Sequence, residues 1–241
     1  MRVYATTDTG KVREINEDYF SVSYPEDKVQ LYLLADGMGG YNGGEVASKL
    51  AVTTARDYIL NNYNNTEHTK EALLELVVSS SIYANMVVFE KASQNDAIKH
   101  MGTTLDICLF FQNNVLISHI GDSRIYRVRN DYMRKLTKDH SYVQQLVDDG
   151  SITKEEAAKH PDKNLLMKAI GVNSFIEPDG MIKGYQKGDV ILMCSDGLTN
   201  MVSEEEILQI IKDNPTDCTK PLIQKANDNG GHDNITAVII R

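Results

Sequence analysis

Cysteine is scarce in this chain, three in 241 residues. Cys108, Cys194 and Cys218 show neither the CxxC spacing of a redox pair nor the spacing of a zinc site. Cys108 and Cys194 lie inside apolar, strand-like runs ("LDICLFF", "ILMCSD"), so they read as buried, inert thiols. Positive charge is also in deficit: 25 Lys and Arg stand against 34 Asp and Glu, a formal net charge of −9. A surface of that sign does not attract nucleic acid or anionic lipid through a long-range field. An anionic substrate would need a local cation to reverse it. No run of about 20 apolar residues is evident, which argues against membrane insertion. The first twenty residues lack the apolar core of a secretory signal, so the expected compartment is the cytoplasm. Low-complexity linkers and solenoid-period repeats are missing too. What remains is a length and a 41% hydrophobic content sufficient for a sizeable core.

Strand-like segments rich in Val, Ile, Leu and Tyr fall at 2–7, 18–24, 31–35, 103–112, 114–120, 123–129, 133–136, 180–185, 189–194 and 234–240. The stretch "FFQNNVLISHIGDSRIYRVRNDYMRKL" reads as an antiparallel meander with turns at Asn113-Asn114, Gly121-Asp122 and Asn130-Asp131. Helical periodicity predicts long helices over 44–63 and 67–94. The first presents Ala47, Leu50, Ala51, Thr54 and Tyr58 on one face. The second presents Leu73, Leu76, Val77, Ser80, Ala84, Val87 and Val88. Capping boxes at Ser203–Glu206 and Thr153–Glu156 open two more helices. The charged stretch 138–166, short of β-branched residues, reads as a helical insertion. Hairpins, then long helices, then hairpins again imply an α+β domain, stacked antiparallel sheets with helices on their outer faces, over residues 1–241.

The carboxylates sort by what precedes them. Asp36 in "LYLLADGMGG" and Asp196 in "VILMCSDG" each end an apolar run and precede glycine. Asp122 sits at the joint in "ISHIGDSRIY", Asp233 just before the last strand in "NGGHDNITAVII", and Glu17 and Asp18 just before an early strand in "INEDYF". Any one of them could be ordinary turn chemistry. Asp36-Gly37 and Asp196-Gly197, however, lead into loops and helices rather than into return strands. Two like charges ~4 Å apart repel by ~4 kcal/mol at an effective dielectric of about 20. If these groups converge, they can ionise together only around a cation. The donors are all hard oxygens with no Cys or His cluster beside them, which selects Mg²⁺ or Mn²⁺ over zinc. Gly37 fits that scheme, since glycine lets an ion approach a backbone carbonyl closely. The alternative of a nucleotide-binding loop fails: GxGxxG counted from Gly37 would need glycine where Asn42 stands, and no Walker lysine follows.

Taken in order, "TDTGKVREINEDYF", "LYLLADGMGGYNGGEVAS", "MGTTLDICLF", "ISHIGDSRIYRV", "LTKDHSYVQQLVDDGSITKEEAAKHPDKNLLMKAIG", "DVILMCSDGLTN" and "NGGHDNITAVII" closely resemble the metal-dependent (PPM, type-2C) serine/threonine protein phosphatases. The short bacterial members are the nearest in pattern. The resemblance implies a four-layer αββα sandwich and Mn²⁺- or Mg²⁺-dependent hydrolysis of phosphoserine and phosphothreonine in proteins. It implies that Asp36 bridges two ions with the Gly37 carbonyl on one of them, and that Asp196 and Asp233 hold the other. Glu17 and Asp18 act directly or through water, and Asp122 holds a third ion shared with Asp196. Arg13 matches the family's phosphate-gripping arginine, whose planar guanidinium suits a bidentate hold. By the same resemblance, two such ions ~3.5–4 Å apart would acidify a bridging water, whose hydroxide would attack phosphorus directly, without a phosphoenzyme.

The same resemblance makes 138–166 a flap beside the metals that touches substrate protein. It also implies phosphoprotein partners, a serine/threonine kinase acting on the same substrates, and a monomer. Departures are few. Met38 stands where some relatives carry a histidine proposed as the acid for the leaving group, with His140 and His232 as possible substitutes. Met167-Lys168 replaces a common threonine-arginine, which puts a gripping role for Lys168 in doubt. A catalytically inactive, binding-only relative is the alternative, and lost metal ligands would mark it.

Overall fold

Side-chain alternation decides how the layers stack, because residues two apart on a strand share a face. The computed structural model describes residues 1–38 and 43–241. One sheet has five strands in the order β1 (Val3–Asp8), β11 (Ile235–Ile240), β10 (Val190–Cys194), β7 (Arg124–Arg129) and β8 (Tyr132–Lys135). The other runs β2 (Asp18–Val22), β3 (Gln30–Met38), β5 (Leu105–Phe111), β6 (Asn114–Ile120) and β9 (Asp179–Gly184), with the short β4 (Gly102–Thr103) paired to the end of β3. All these pairings are antiparallel.

Three buried clusters mark the interfaces between layers. Tyr32 and Leu34 of β3, Cys108 of β5, Ile117 of β6, Ile191 and Met193 of β10, and Val238 of β11 fill the gap between the sheets. The opposite parity of β3, Leu31, Leu33 and Ala35, packs with α1 (Gly44–Asn62) and α2 (Lys70–Ser93). On the far side, Leu192, Cys194, Ile235, Ala237 and Ile239 pack under α5 (Asp196–Thr199), α6 (Glu204–Asp213) and α7 (Thr219–Asp228). The αββα sandwich expected from the sequence is the observed architecture. Two short helices, α3 (Tyr142–Asp148) and α4 (Lys154–Ala157), lie within residues 138–166.

Several local expectations change. The strand expected at 31–35 continues through Asp36 and Gly37 to Met38, because β4 pairs Thr103 with Gly37 and Gly102 with Met38. The strand expected at 103–112 is correspondingly split, since Thr104 leaves the ladder to serve Asp36. The turn expected at Asn113-Asn114 falls one residue earlier, at Gln112-Asn113 between the paired Phe111 and Asn114, with Gln112 left-handed at a φ of 53°. Asn130 and Asp131, with φ of 48° and 64°, form the expected turn. The buried face of α1 is Ala47, Ser48, Ala51, Val52, Ala55 and Ile59. That is a rotation from the predicted stripe, because α1 is wedged between α2 and the sheet. In α2, Val87 is only half-buried. By length and composition α2 is apolar enough to cross a membrane, contrary to the reading of the sequence. Here it is a core helix, with Leu73, Val77, Ala84 and Val88 fully buried.

Candidate metal centre

The inter-sheet row turns from apolar to acidic at one end of the sandwich. On β3 it reads Tyr32, Leu34, Asp36. On β2, read back from Val22 through Phe20, it ends at Asp18, directly opposite Asp36 in the ladder. Like charges facing each other across a pair of strands oppose the pairing, so something must offset them. Part of the compensation comes from the other sheet. Ser195 Oγ and Thr236 Oγ1 donate to Asp18 Oδ2 at 2.7 and 2.6 Å, tying β2 to the ends of β10 and β11. Asp18 Oδ1 is buried without a partner among the described residues.

Backbone contacts hold the neighbouring carboxylates. The Asp36 N–H donates to Thr104 Oγ1 at 2.8 Å, and its carbonyl accepts from Thr103 Oγ1 and the Thr104 N–H, both at 2.9 Å. Thr104 Oγ1 is also 2.8 Å from Ser123 Oγ, the residue after Asp122. Asp196 caps the end of β10 as the first residue of α5, where Asn200 Nδ2 donates to its Oδ2 at 2.9 Å. Asn234 fixes the loop that carries Arg13 and Glu17: its Oδ1 accepts from the Glu17 N–H at 2.8 Å, and its Nδ2 donates to the carbonyls of Thr9 and Ile15 at 2.9 Å each. Gly37 has no room for a side chain, since a Cβ there would run into the Gly44 carbonyl group and stand 2.6 Å from the Glu17 carbonyl oxygen. The Glu17 carboxylate lies against Gly44 at the start of α1.

The carboxyls of this cluster push on one another. Burial first, then Asp18, Asp196, Asp122 and Asp233, hold the Asp36 carboxyl well above the ordinary range. Burial raises Asp18 to about 7 against the two hydroxyl donors, with Asp196 and Asp233 adding to it. Burial and then Asp196 raise Asp122 to about 8. Asp196 is raised by burial and by Asp233, while Arg124, Asn200 and Lys163 of the insertion favour its charged form. Arg13 stands at the exposed rim, its Nη2 2.9 Å from Asp233 Oδ2, and feels Glu17 and Asp36 beyond. The residues singled out in the sequence, Arg13, Glu17, Asp18, Asp36, Gly37, Asp122, Asp196 and Asp233, thus meet at one end of the gap.

These residues fit a hard divalent cation. The donors are carboxylate and carbonyl oxygens, Asp18 keeps an unpartnered buried oxygen, and Gly37 brings main chain close to the cluster. Among the described residues no three Asp, Glu, His or Cys side chains close into one compact ligand group. Residues 39–42, the rest of the glycine-rich loop, lie outside the described residues.

The remaining candidates sit elsewhere or are already engaged. His140 is lowered to about 4 by burial and by His119. Its Nδ1 accepts from the Gly121 N–H at 3.1 Å, which leaves the Nε2 proton facing Asp179 Oδ2 at 3.3 Å. Both ring nitrogens are thus engaged, one with the loop that carries Asp122 and one with Asp179. His232 is exposed. Lys168 Nζ donates to the Glu177 carbonyl at 3.3 Å and lies 3.8 Å from Asp179. Thr104, Ser195, Asn234 and Asn200 were not singled out in the sequence, although strand parity alone puts Asn234 and Thr236 on the inter-sheet face with Val238.

The family model for Protein phosphatase 2C matches residues 10–236. The chain belongs to that family. Among its phosphatase 2C relatives, "Serine/threonine phosphatase stp" of Listeria innocua is 40% identical over 237 residues, 97% of this chain and 93% of that one. The serine/threonine phosphatase PstP/Ppp of Mycobacterium tuberculosis superposes with a TM-score of 0.88 at 36% identity, covering 99% of this chain and 97% of its own. A structure of the PstP catalytic domain in complex with two manganese ions gives a TM-score of 0.84 at 34% identity, covering 99% of this chain and 96% of that one. The carboxylates whose loss would mark a binding-only phosphatase 2C protein are all in place here.

Proposed function

We propose that residues 1–241 act as one phosphatase domain that hydrolyses phosphoserine and phosphothreonine in cytoplasmic proteins, as a monomer, reversing a serine/threonine kinase. The observation that carries this is the convergence of Asp18, Asp36, Asp122, Asp196 and Asp233, each carboxylate raised by or raising its neighbours, beside Arg13 at the rim. Asp36, the Gly37 carbonyl, Asp196, Asp233, Glu17 and Asp18 would hold two Mn²⁺ or Mg²⁺ ions, and Asp122 with Asp196 a third. Such ions, when bound, supply Lewis acidity and a water acidified toward neutral pH.

The chain's own groups do the rest. Thr103 and Thr104 fix Asp36 by its backbone, and Ser195 with Thr236 fix Asp18, so the ligand set needs little reorganisation. Arg13 leaves Asp233 to grip the phosphoryl oxygens as charge builds on them. Among the described residues the cysteines and the serines beside the cluster are not free to act as nucleophiles: the three cysteines are buried, and Ser123 and Ser195 are fully buried in hydrogen bonds. Water is left as the attacking group. The insertion 138–166, with Lys163 toward Asp196, is the flap that meets substrate protein.

Hydrolysis of a phosphothreonine peptide with Mn²⁺, with EDTA, and by Asp36→Asn tests this reading. Turnover is expected only in the first case, with the variant down by about 10²–10³. Equal rates in all three would refute it.

A further inference from the structure

The acidic row on β3 is followed, on the same strand face, by an apolar one. Met38 lies two residues beyond Asp36 and so shares its side of the strand. A Cβ built on Gly102 of the neighbouring β4 would stand 2.8 Å from Met38 Cε and 2.8 Å from Val172 Cγ2. The missing side chain of Gly102 is what lets those two groups come together. From Val172 the apolar surface continues along 165–175, where Met167, Val172 and Phe175 are 51%, 48% and 69% exposed. Beside them a cavity of about 340 Å³ opens between Met167, Phe175 and Ile176, with Lys168, Asn173 and Glu177 as its polar wall, roomy enough for one aliphatic or aromatic side chain.

The backbone beneath these groups is fixed. Ile170 exchanges both main-chain hydrogen bonds with Thr103, at 3.1 and 2.8 Å, and the Met167 N–H donates to the His140 carbonyl at 2.8 Å. Asn85, buried in α2, accepts from the Gly171 N–H at 2.7 Å and donates to the Asn173 carbonyl at 2.9 Å. A rigid frame therefore holds apolar side chains out toward water right next to the metal centre. The spacing fits a peptide. Adjacent strands lie about 4.8 Å apart, so the two steps from β3 through β4 to Ile170 cover about 10 Å. Extended chain spans that in about three residues.

We infer that Met38, Val172, Met167 and Phe175 form a substrate subsite for an apolar side chain about three residues from the phosphorylated serine or threonine. The inference rests on the proposed reading of the metal centre, and it names which phosphoproteins that centre prefers. It makes Val172 and Phe175 determinants of specificity rather than of chemistry.

The test compares phosphothreonine peptides that differ only in leucine or serine three positions to either side, with p-nitrophenyl phosphate as a substrate that has no flanking residue. With Mn²⁺, the leucine peptide is expected to have about tenfold higher kcat/KM than the serine peptide. Val172→Ser with Phe175→Ser should bring that ratio near one while hydrolysis of p-nitrophenyl phosphate is unchanged. Both residues are exposed, and a thermal melt verifies folding, with Met167→Ser as a second variant. Equal kcat/KM for the two peptides in the unaltered protein, or an undiminished preference in both variants, overturns the subsite alone. No Mn²⁺-dependent hydrolysis of any of the three substrates overturns the metal-centre reading and the subsite with it. A dimer seen by sedimentation velocity that the double variant abolishes assigns the surface to a second copy of the chain, and also overturns the subsite.

Discussion

Replacing Asp36 with asparagine should stabilise the metal-free protein while removing its response to metal. Asp36 faces Asp18 across the ladder, and Thr103 and Thr104 hold its backbone rather than its carboxylate. Asparagine therefore loses little but charge. The scale comes from Asp18, raised from 3.8 to about 7. At 1.36 kcal/mol per pH unit, ionising that one carboxyl costs the metal-free fold roughly 4 kcal/mol. Asp36 carries a cost of the same kind, since burial and then Asp18 hold it well above the ordinary range, and asparagine avoids it; about 2 kcal/mol should be recovered, or about 4–8 °C in Tm for a chain of this size. The pH dependence follows from the direction of the shifts. The unfolded chain releases these protons near pH 4, whereas the fold keeps them until about pH 7 to 8. Stability is therefore complete below pH 4 and is lost as pH rises through that window. Melting curves in EDTA at pH 4 and pH 8 should show the variant equal to the unaltered protein at the first and higher at the second. Mn²⁺ at about 100 Kd should then add about 2.7 kcal/mol to the unaltered protein and much less to the variant. A variant that melts lower in EDTA at pH 8, or that gains as much from Mn²⁺, would refute the reasoning.

Arg13→Lys keeps the charge but loses the planar fork. Steady-state kinetics on a phosphothreonine peptide should show kcat/KM reduced by about 10–100-fold, with stability within about 0.5 kcal/mol, as befits an exposed side chain. Asn234→Ala frees the Glu17 N–H and the carbonyls of Thr9 and Ile15. Urea unfolding should show a loss of about 2–4 kcal/mol, and Mn²⁺ titration by calorimetry should show weaker binding, because Glu17 is no longer held. Trimming residues 145–162 of the insertion should leave p-nitrophenyl phosphate hydrolysis nearly unchanged and lower kcat/KM on a phosphoprotein by about tenfold. Unchanged activity on the phosphoprotein, with folding intact, would remove the flap from substrate contact.

Much of the fold was legible because alternation and helical period are local. Leu31 to Ala35 reads as a buried strand wherever it is placed, and the Ser203–Glu206 box announces α6 unaided. The ligand candidates were legible for a related reason: a carboxylate ending an apolar run is locally anomalous. What escaped was set by distant partners. α7 hides behind Pro221, which reads as a breaker although it lies in the first turn, where proline is tolerated. Its buried Leu222, Ile223 and Ala226 give only a short stripe. The extension of β3 through Met38 depends on β4, more than sixty residues away. Ser195, Thr104 and Asn234 look like ordinary polar residues until the carboxylates they hold are in view.

The placement of the site follows from the sandwich itself. In the middle of the gap, Leu34, Cys108, Ile117 and Met193 exclude water, and an ionised carboxylate there would carry an unrecovered desolvation cost of several kcal/mol. At the end of the gap Asp36, Asp122, Asp196 and Asp233 are only half-buried, while β2 and β3 stay paired up to Asp18 and Asp36. Like charges can be crowded there, but only at a free-energy cost that a bound cation can offset. That couples metal binding to folding, since ions that bind the native cluster and not the unfolded chain stabilise the fold by their own binding free energy. It also explains why the second-sheet hydroxyls of Ser195 and Thr236 both go to Asp18. With the most buried carboxylate of the set held in place from across the gap, the two sheets fix the spacing between Asp36 on one and Asp196 and Asp233 on the other. Ser195→Ala combined with Thr236→Val would therefore loosen the site from the side opposite Asp36, weakening Mn²⁺ binding even though neither residue is itself a candidate ligand.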